Sequence, residues 1–276
     1  MRLGISNIAW DPIEDAAVAE LLRQHAVDAI DIAPGKYFPN PAAAGPVEIE
    51  RVARTWRARG IEIVGMQALL FGTQGLNVFG DDASQAAMLA HLDGICRIGA
   101  GTGARRLVFG SPRNRDRSGL DDEQARRVAT DFFRRLGDIA ASHDVLVCLE
   151  PNPPHYAANF MTTGAETAQV VRLIDHPHIR MQFDSGAFTL SGEDPEALLS
   201  RHADLICHVH ASEPDLVPLG DGDTNHAACR AALEKYLPTL SVCIEMVATR
   251  DEDHLASIDR ALVAADRHYR MPREAA

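Results

Sequence analysis

The sequence predicts a single eight-stranded (β/α)8 barrel over residues 1–276, and three observations carry this prediction. Eight short aliphatic runs recur along the chain, with helical patterns between most of them. Short apolar runs that alternate with helices are typical of βαβ units and a parallel sheet. The last four runs end in an acidic or imidazole side chain, and these ends lie 34, 26 and 35 residues apart. An average barrel unit is about 30 residues long, which matches this spacing.

Each predicted strand is an aliphatic run of four to six residues. The eight strands are 3–6, 29–33, 61–66, 106–109, 145–150, 179–184, 205–210 and 242–245. Apolar residues at helical spacing predict helices at 13–24, 47–59 and 124–142. An open, doubly wound sheet is the rival architecture, but the eight units give no evidence of a reversed sheet edge, which favours a closed barrel.

Composition and charge exclude several classes of partner. The chain is 46% hydrophobic and 24% charged, and its net charge is −12. This acidity argues against nucleic acid and membrane surfaces as general partners. No apolar run approaches the roughly 20 residues of a membrane span, and the first residues lack a secretory apolar segment. The five cysteines show no framework spacing and predict reduced thiols. We therefore expect a soluble, cytoplasmic protein.

Four strand-end residues are candidate metal ligands: Glu150, Asp184, His210 and Glu245. Taken alone, an acidic residue at a strand end is more often a cap or an ion-pair partner than a ligand, and a histidine in a strand is more often a core residue. Together they lie at the C-terminal ends of consecutive strands, where such barrels keep their chemistry. Buried carboxylates at one depth repel one another unless a cation joins them. Three carboxylates and an imidazole predict one divalent ion, with Mn²⁺ preferred and Mg²⁺, Co²⁺ or Zn²⁺ also compatible.

Further polar and aromatic residues near the strand ends are candidate substrate contacts. His208 lies one layer below His210 on the same face of its strand, so it could instead orient a carboxylate or pack in the core. Glu213 could bond to a metal ligand or to a substrate hydroxyl. For Arg115 a solvated surface charge is the default interpretation, and contact with a polyhydroxylated substrate is the alternative. The residues predicted to bind substrate are Trp10, Gln67, Arg115, Tyr156, His208 and Glu213.

This pattern resembles the xylose isomerase-like TIM-barrel superfamily. The strand-end Glu, Asp, His and Glu, with His210 in a His-x-His-x-x-Glu run followed by a Gly-x-Gly turn, carry the resemblance. Its sugar isomerases and epimerases look most similar; inosose dehydratases and AP endonucleases are more distant. The resemblance implies one divalent ion on the four candidate ligands. It also implies a cis-enediolate reaction on a carbohydrate, with Glu150 and Glu245 as the catalytic acid/base pair.

The chain departs from the epimerase pattern at three positions. Ala187 stands where a histidine follows the metal-binding aspartate, Tyr156 where a second glutamate is usual, and Leu216 where an arginine is usual. These differences point to a polyol, ketose or cyclic keto-sugar other than the usual ketose substrates. Gln67 and Ala187 also stand where histidines would help to build the three-metal cluster of AP endonucleases.

Two alternatives to an isomerase or epimerase stay open. A substrate with a leaving hydroxyl β to the carbanion would lose water, which makes the protein a dehydratase or lyase acting on a keto-sugar or inosose. A non-catalytic barrel that binds a sugar is the second alternative, since three substrate-contact positions differ. Barrels of this type often pair through outer helices, so a homodimer is also considered.

Overall fold

The computed structural model describes residues 1–270, and its core is a closed barrel of eight parallel strands. The strands follow one another around the barrel in chain order, and the first pairs with the last. The (β/α)8 prediction is confirmed. The strands are β1 Leu3–Ser6, β2 Ala29–Ile32, β3 Glu62–Met66, β4 Arg106–Phe109, β5 Leu146–Leu149, β6 Ile179–Asp184, β7 Ile206–Ser212 and β8 Val242–Glu245.

Nine α-helices lie among residues 1–270, and most of them cover the outside of the barrel. They are α1 Asp15–Gln24, α2 Pro46–Arg57, α3 Asp82–Thr102, α4 Asp122–Ser142, α5 Gly164–Ile174, α6 Ser185–Ser191, α7 Pro195–His202, α8 His226–Tyr236 and α9 His254–Tyr269. The predicted helices correspond to α1, α2 and α4, whose apolar faces are buried. None of the helices in this part of the chain has the length and apolar character needed to cross a membrane.

Strand pairing brings the candidate ligands to one end of the barrel. Asp184 of β6 lies opposite His210 of β7, and Ser212 of β7 lies opposite Glu245 of β8. Strand β7 runs two residues beyond the predicted 205–210, so its end reaches Ser212. Glu150 follows β5 directly. These C-terminal strand ends form the site.

The structure contains no disulfide bond among its cysteines, all of which lie within the described residues. All five are free; four are buried and Cys207 is half-buried. Cys148 of β5 and Cys207 of β7 contact each other, with their Sγ atoms 3.2 Å apart. Burial raises the pKa of the Cys148 thiol, which favours its protonated form.

Candidate metal centre

The four predicted ligands converge at the C-terminal end of the barrel. Glu150, Asp184, His210 and Glu245 are buried, and each offers a ligand atom within 4.8 Å of those of the others. His210 Nδ1 lies 3.5 Å from Glu150 Oε1 and 3.3 Å from Glu245 Oε2. The imidazole therefore presents one nitrogen to two carboxylates.

Local hydrogen bonds fix the directions of two of these carboxylates. The Asp184 side chain caps helix α6 by accepting from the Ala187 amide at 2.7 Å. The Ser212 hydroxyl donates to its other oxygen at 2.8 Å. Asn152 Nδ2 donates to Glu150 Oε2 at 3.2 Å. These hydrogen bonds orient the carboxylates of Asp184 and Glu150 but leave part of their hydrogen-bonding capacity unused.

The charges of the cluster fit a divalent cation. Burial raises the pKa of Asp184, and repulsion from Glu245 and Glu150 raises it further. Burial likewise raises the pKa of Glu245. Glu150 Oε1 is buried without a hydrogen-bond partner. A cation within reach of these oxygens would satisfy the orphaned atom and offset the repulsion between the carboxylates. Oxygen-rich sets of this kind suit hard divalent ions.

Asp31 lies beneath the candidate ligands in the barrel interior, and the sequence analysis did not identify it as a site residue. Asp31 lies in β2, and its side chain is fully buried. His208 Nε2 donates to Asp31 Oδ2 at 2.6 Å, and His210 Nε2 donates to the same oxygen at 3.1 Å. A Cβ added at Gly65 would lie less than 3.0 Å from Asp31, so the glycine makes room for this carboxylate. One feature of the sequence could have identified Asp31: it is an acidic residue in the middle of an aliphatic run.

An open cavity of about 1010 Å³ lies at the metal centre. Two of the predicted substrate contacts, Gln67 and Tyr156, line it together with three of the candidate ligands. Gln67 Nε2 donates to the Ser6 hydroxyl. The Tyr156 hydroxyl accepts from the Asp215 amide at 2.9 Å, and burial helps to raise its pKa to about 12. Tyr156 is therefore a neutral group at the cavity wall.

Trp10 and Arg115 are not among the residues that line this cavity, and their contact with substrate stays a prediction. The Trp10 indole is fully buried and donates to Asp15 Oδ1 at 2.9 Å. The Arg115 guanidinium is also fully buried, and it donates to the carbonyl oxygens of Glu150 (2.8 Å) and Gly110 (3.3 Å). Arg115 supports the loop that carries Glu150.

His208 and Glu213 are likewise not among the lining residues, and their contact with substrate also stays a prediction. His208 orients the Asp31 carboxylate, the alternative that the sequence left open. Glu213 accepts from the amides of Gly220 (2.9 Å) and Thr224 (3.0 Å), and His226 Nε2 donates to it at 2.8 Å. Burial favours the protonated acid, but these bonds lower the pKa of Glu213 to about 2. Glu213 holds the loop after β7 in place.

The three positions that depart from the epimerase pattern all face the cavity. Ala187, Leu216 and Tyr156 are among its lining residues. None of them carries a charge at neutral pH. The wall is therefore less polar here than the one that the resemblance implies.

The fold and the site define a TIM barrel with a candidate divalent-metal centre at its C-terminal end. Residues 19–265 match the xylose isomerase-like TIM barrel family. The chain belongs to this family.

Known proteins with this fold include enzymes that act on sugars. The chain is 19% identical to the 3-keto-D-glucoside 4-epimerase of E. coli, with a TM-score of 0.78 over 95% of this chain and 98% of that one. It is 18% identical to the IOLI protein solved with a zinc atom, with a TM-score of 0.75 over 98% of this chain and 100% of that one. Likeness at these identities shows the fold.

A curated relative shares part of the sequence. The chain is 28% identical to the inosose dehydratase of Lacticaseibacillus casei over 137 residues. This match covers 47% of the chain and 44% of the relative, so it spans less than half of either protein.

Proposed function

We propose that the protein is a divalent-metal-dependent sugar isomerase or epimerase. One observation carries this proposal: Glu150 and Glu245 meet at one ligand cluster and both line the open cavity. Two carboxylates that share a cation and face a substrate space are arranged to exchange protons with one carbon. The epimerase with the same fold and the dehydratase relative support a carbohydrate substrate.

Glu150, Asp184, His210 and Glu245 would hold the ion. The donor set suits Mn²⁺, and Mg²⁺, Co²⁺ and Zn²⁺ are compatible with it. The zinc atom of the IOLI protein supports a divalent ion in this fold. When bound, the ion supplies Lewis-acid chemistry, which polarises a carbonyl and acidifies the neighbouring C–H.

The two glutamates carry the protons in this mechanism. One carboxylate removes the proton from the hydroxyl-bearing carbon next to the substrate carbonyl, and a cis-enediolate of the sugar results. The other glutamate returns a proton to the opposite face of that carbon, which completes an epimerisation. Return of the proton to the neighbouring carbon, with a hydroxyl proton passing between the two oxygens, completes an isomerisation. Acid–base catalysis of this kind contributes roughly 10²–10⁴-fold to the rate.

The raised pKa of Glu245 matches this role. Burial raises the pKa of Glu245 against the opposing charge of His210, and the charges of Glu150 and Asp31 raise it further, which favours the protonated form that an acid requires. Gln67 and Tyr156 line the same cavity and would contact the sugar ring.

Dehydration is the second candidate function, and the match to an inosose dehydratase favours it. The first step is the same proton removal by a glutamate. If a hydroxyl stands β to the carbanion, its C–O bond breaks with a proton supplied by the other glutamate, and water leaves. The substrate decides between the two outcomes.

Incubation in D₂O tests the proposal. The Mn²⁺-loaded protein is mixed with a panel of ketoses, inososes and 3-keto-sugars, and the products are followed by mass spectrometry and NMR. Deuterium at a carbon next to the carbonyl is the expected result, and simultaneous loss of water identifies a dehydratase. Saturable binding without exchange in any member of the panel would favour a non-catalytic sugar-binding barrel instead.

A further inference from the structure

Two cysteines on alternate strands of the barrel contact each other. Cys148 lies in β5 and Cys207 lies in β7, and their Sγ atoms are 3.2 Å apart. Neither residue is among those that line the cavity at the metal centre. A disulfide bond is about 2.05 Å long, so the two sulfur atoms need to approach each other by only about 1 Å to reach bonding distance. The contact therefore lies close to a covalent cross-link between two strands that are not neighbours in the sheet.

An irregularity in β7 accounts for this contact. Regular alternation along the strand would place Cys207 on the face opposite to that of His208. On β6, however, Met181 pairs with Ile206, and the next residue already pairs with His208. Cys207 is therefore the extra residue of a bulge, a feature that re-aims a side chain. The bulge directs the Cys207 thiol toward a cysteine that lies two strands away.

Cys207 has the surroundings of a nucleophilic thiol. It is half-buried, whereas the other four cysteines are buried. Arg106 Nε donates to the Cys207 carbonyl oxygen at 2.9 Å, which holds a cationic side chain beside the residue. The hydrogen bond from the Cys148 thiol lowers the pKa of Cys207 against the effect of burial, and the charges of Arg106 and Arg180 lower it further. A partly exposed thiol near cationic groups is the kind that attacks an oxidant.

We propose that Cys148 and Cys207 are a redox pair that hydrogen peroxide converts into a disulfide, and that this cross-link displaces two candidate metal ligands. Cys148 is two residues before Glu150, and Cys207 is three residues before His210. Drawing the two sulfur atoms together therefore moves β5 and β7 directly beneath these ligands. The cross-link itself is independent of the function proposed above, whereas its effect on the metal centre rests on that function.

The reaction consumes one peroxide molecule for each pair. The Cys207 thiolate attacks one peroxide oxygen, an S–O bond forms, the O–O bond breaks, and the released hydroxide takes up the proton that the thiol lost. The Cys148 sulfur then attacks the sulfur of the Cys207 sulfenic acid. An S–S bond forms, the S–O bond breaks, and the hydroxide leaves as water with the Cys148 proton. The two sulfur atoms are oxidised, and the peroxide is reduced to two water molecules.

Mass spectrometry of the full chain tests the cross-link. The reduced protein is treated with hydrogen peroxide, and the remaining thiols are alkylated after denaturation. We expect the unmodified chain to lose two hydrogen atoms and two alkylation sites, to yield a peptide that links Cys148 to Cys207, and to recover both thiols in dithiothreitol. Cys243→Ala, which removes a buried thiol of β8, should form the same cross-link.

Removing either member of the pair should prevent the cross-link. In Cys148→Ala, the sulfenic acid should persist on Cys207 and react with dimedone, because the sulfur that would displace its oxygen is absent. In Cys207→Ala, dimedone should label neither position. A peroxide-treated unmodified chain that keeps both thiols, or that links a different pair of cysteines, would overturn the proposal. Because that measurement requires no substitution, it holds even where a variant fails to fold.

The effect on the metal centre is measured by calorimetric titration with Mn²⁺ after the peroxide has been removed. We expect the cross-linked chain to bind Mn²⁺ at least about threefold more weakly than the reduced chain, because displaced ligands no longer meet the coordination geometry. Cys207→Ala should bind Mn²⁺ equally well before and after the same treatment. Equal affinities of the cross-linked and reduced chains would overturn the effect on the metal centre. A reduced chain that binds no Mn²⁺ would defeat the proposed function, and with it this effect, while the cross-link would stand.

Discussion

Asp31 Oδ2 lies 3.1 Å from His210 Nε2, on the side of the imidazole opposite the candidate metal ligands. Because Asp31 accepts the Nε2 proton, His210 Nδ1 is left to face Glu150 and Glu245. Burial opposes ionisation of Asp31, but the charges and hydrogen bonds of His208 and His210 lower its pKa below the ordinary range. A carboxylate behind a ligating histidine fixes the ring and its tautomer. Asp31 is thus a positioning residue for the metal centre.

Asp31→Asn should weaken metal binding. The amide cannot accept the two imidazole protons as an ionised carboxylate does, so the ring loses its fixed orientation. We expect the affinity for Mn²⁺ to fall about 10–100-fold, measured by calorimetric titration. Asp28→Asn, which changes an exposed aspartate paired with Arg2, is the matched control. Unchanged affinity in a folded Asp31→Asn protein would show that Asp31 does not act on the ligand.

Gly110→Ala should disturb the metal centre through a single methyl group. A Cβ at this position would lie less than 3.0 Å from Glu150 Oε2, so the carboxylate must move. Gly35→Ala adds the same methyl group where no atom lies within 4 Å. We expect the Mn²⁺ affinity to fall at least about tenfold in Gly110→Ala only, because a displaced ligand no longer meets the coordination geometry. Equal affinities in the two variants would contradict this account of Glu150.

Arg115→Met should destabilise the fold because the Arg115 side chain supports the buried carbonyl of Glu150 and the half-buried carbonyl of Gly110. Burial lowers the pKa of Arg115 to about 10, but the guanidinium stays charged at neutral pH. Its removal leaves the carbonyls of Glu150 and Gly110 without their donors. We expect a loss of about 2–3 kcal/mol in the free energy of unfolding, measured with urea. Arg113→Met, on the exposed neighbour, should change this free energy by less than about 0.5 kcal/mol.

Glu213→Gln should produce a stability difference that depends on pH. The folded pKa of about 2 lies below the ordinary value of 4.5. The carboxylate therefore contributes stability above about pH 4.5, and this contribution is lost as the pH falls toward 2. The shift corresponds to about 3 kcal/mol at pH 7. Urea unfolding of both proteins should show this difference at pH 7 and a shrinking one below pH 4.5. A stability difference between the two proteins that does not change with pH would show that the pKa of Glu213 is not lowered in the folded state.

The sequence predicted the barrel and the cluster of candidate ligands at its C-terminal end because each rests on a local signal. Aliphatic runs mark buried parallel strands, and a polar residue at the end of a run, as at Glu150, marks the catalytic end. The sequence carries no such signal for whether a loop side chain is exposed or buried. Arg113 and Arg115 are two apart in one loop, yet only the packing of that loop exposes the first and buries the second. Asp31 was missed because its partners are 177 and 179 residues away.

The acid/base pair is tested by measuring deuterium incorporation into the keto-sugar substrate with Glu150→Gln and Glu245→Gln, and the bound Mn²⁺ in the same samples. Each amide retains an oxygen for the ion but cannot take up a proton. At saturating Mn²⁺, we expect one ion per chain and an exchange rate at least about 100-fold below that of the unmodified protein. Glu123→Gln, on the exposed start of α4, should exchange normally. A metal-loaded variant at Glu150 or Glu245 that keeps more than about a tenth of the exchange rate would contradict the acid/base pair.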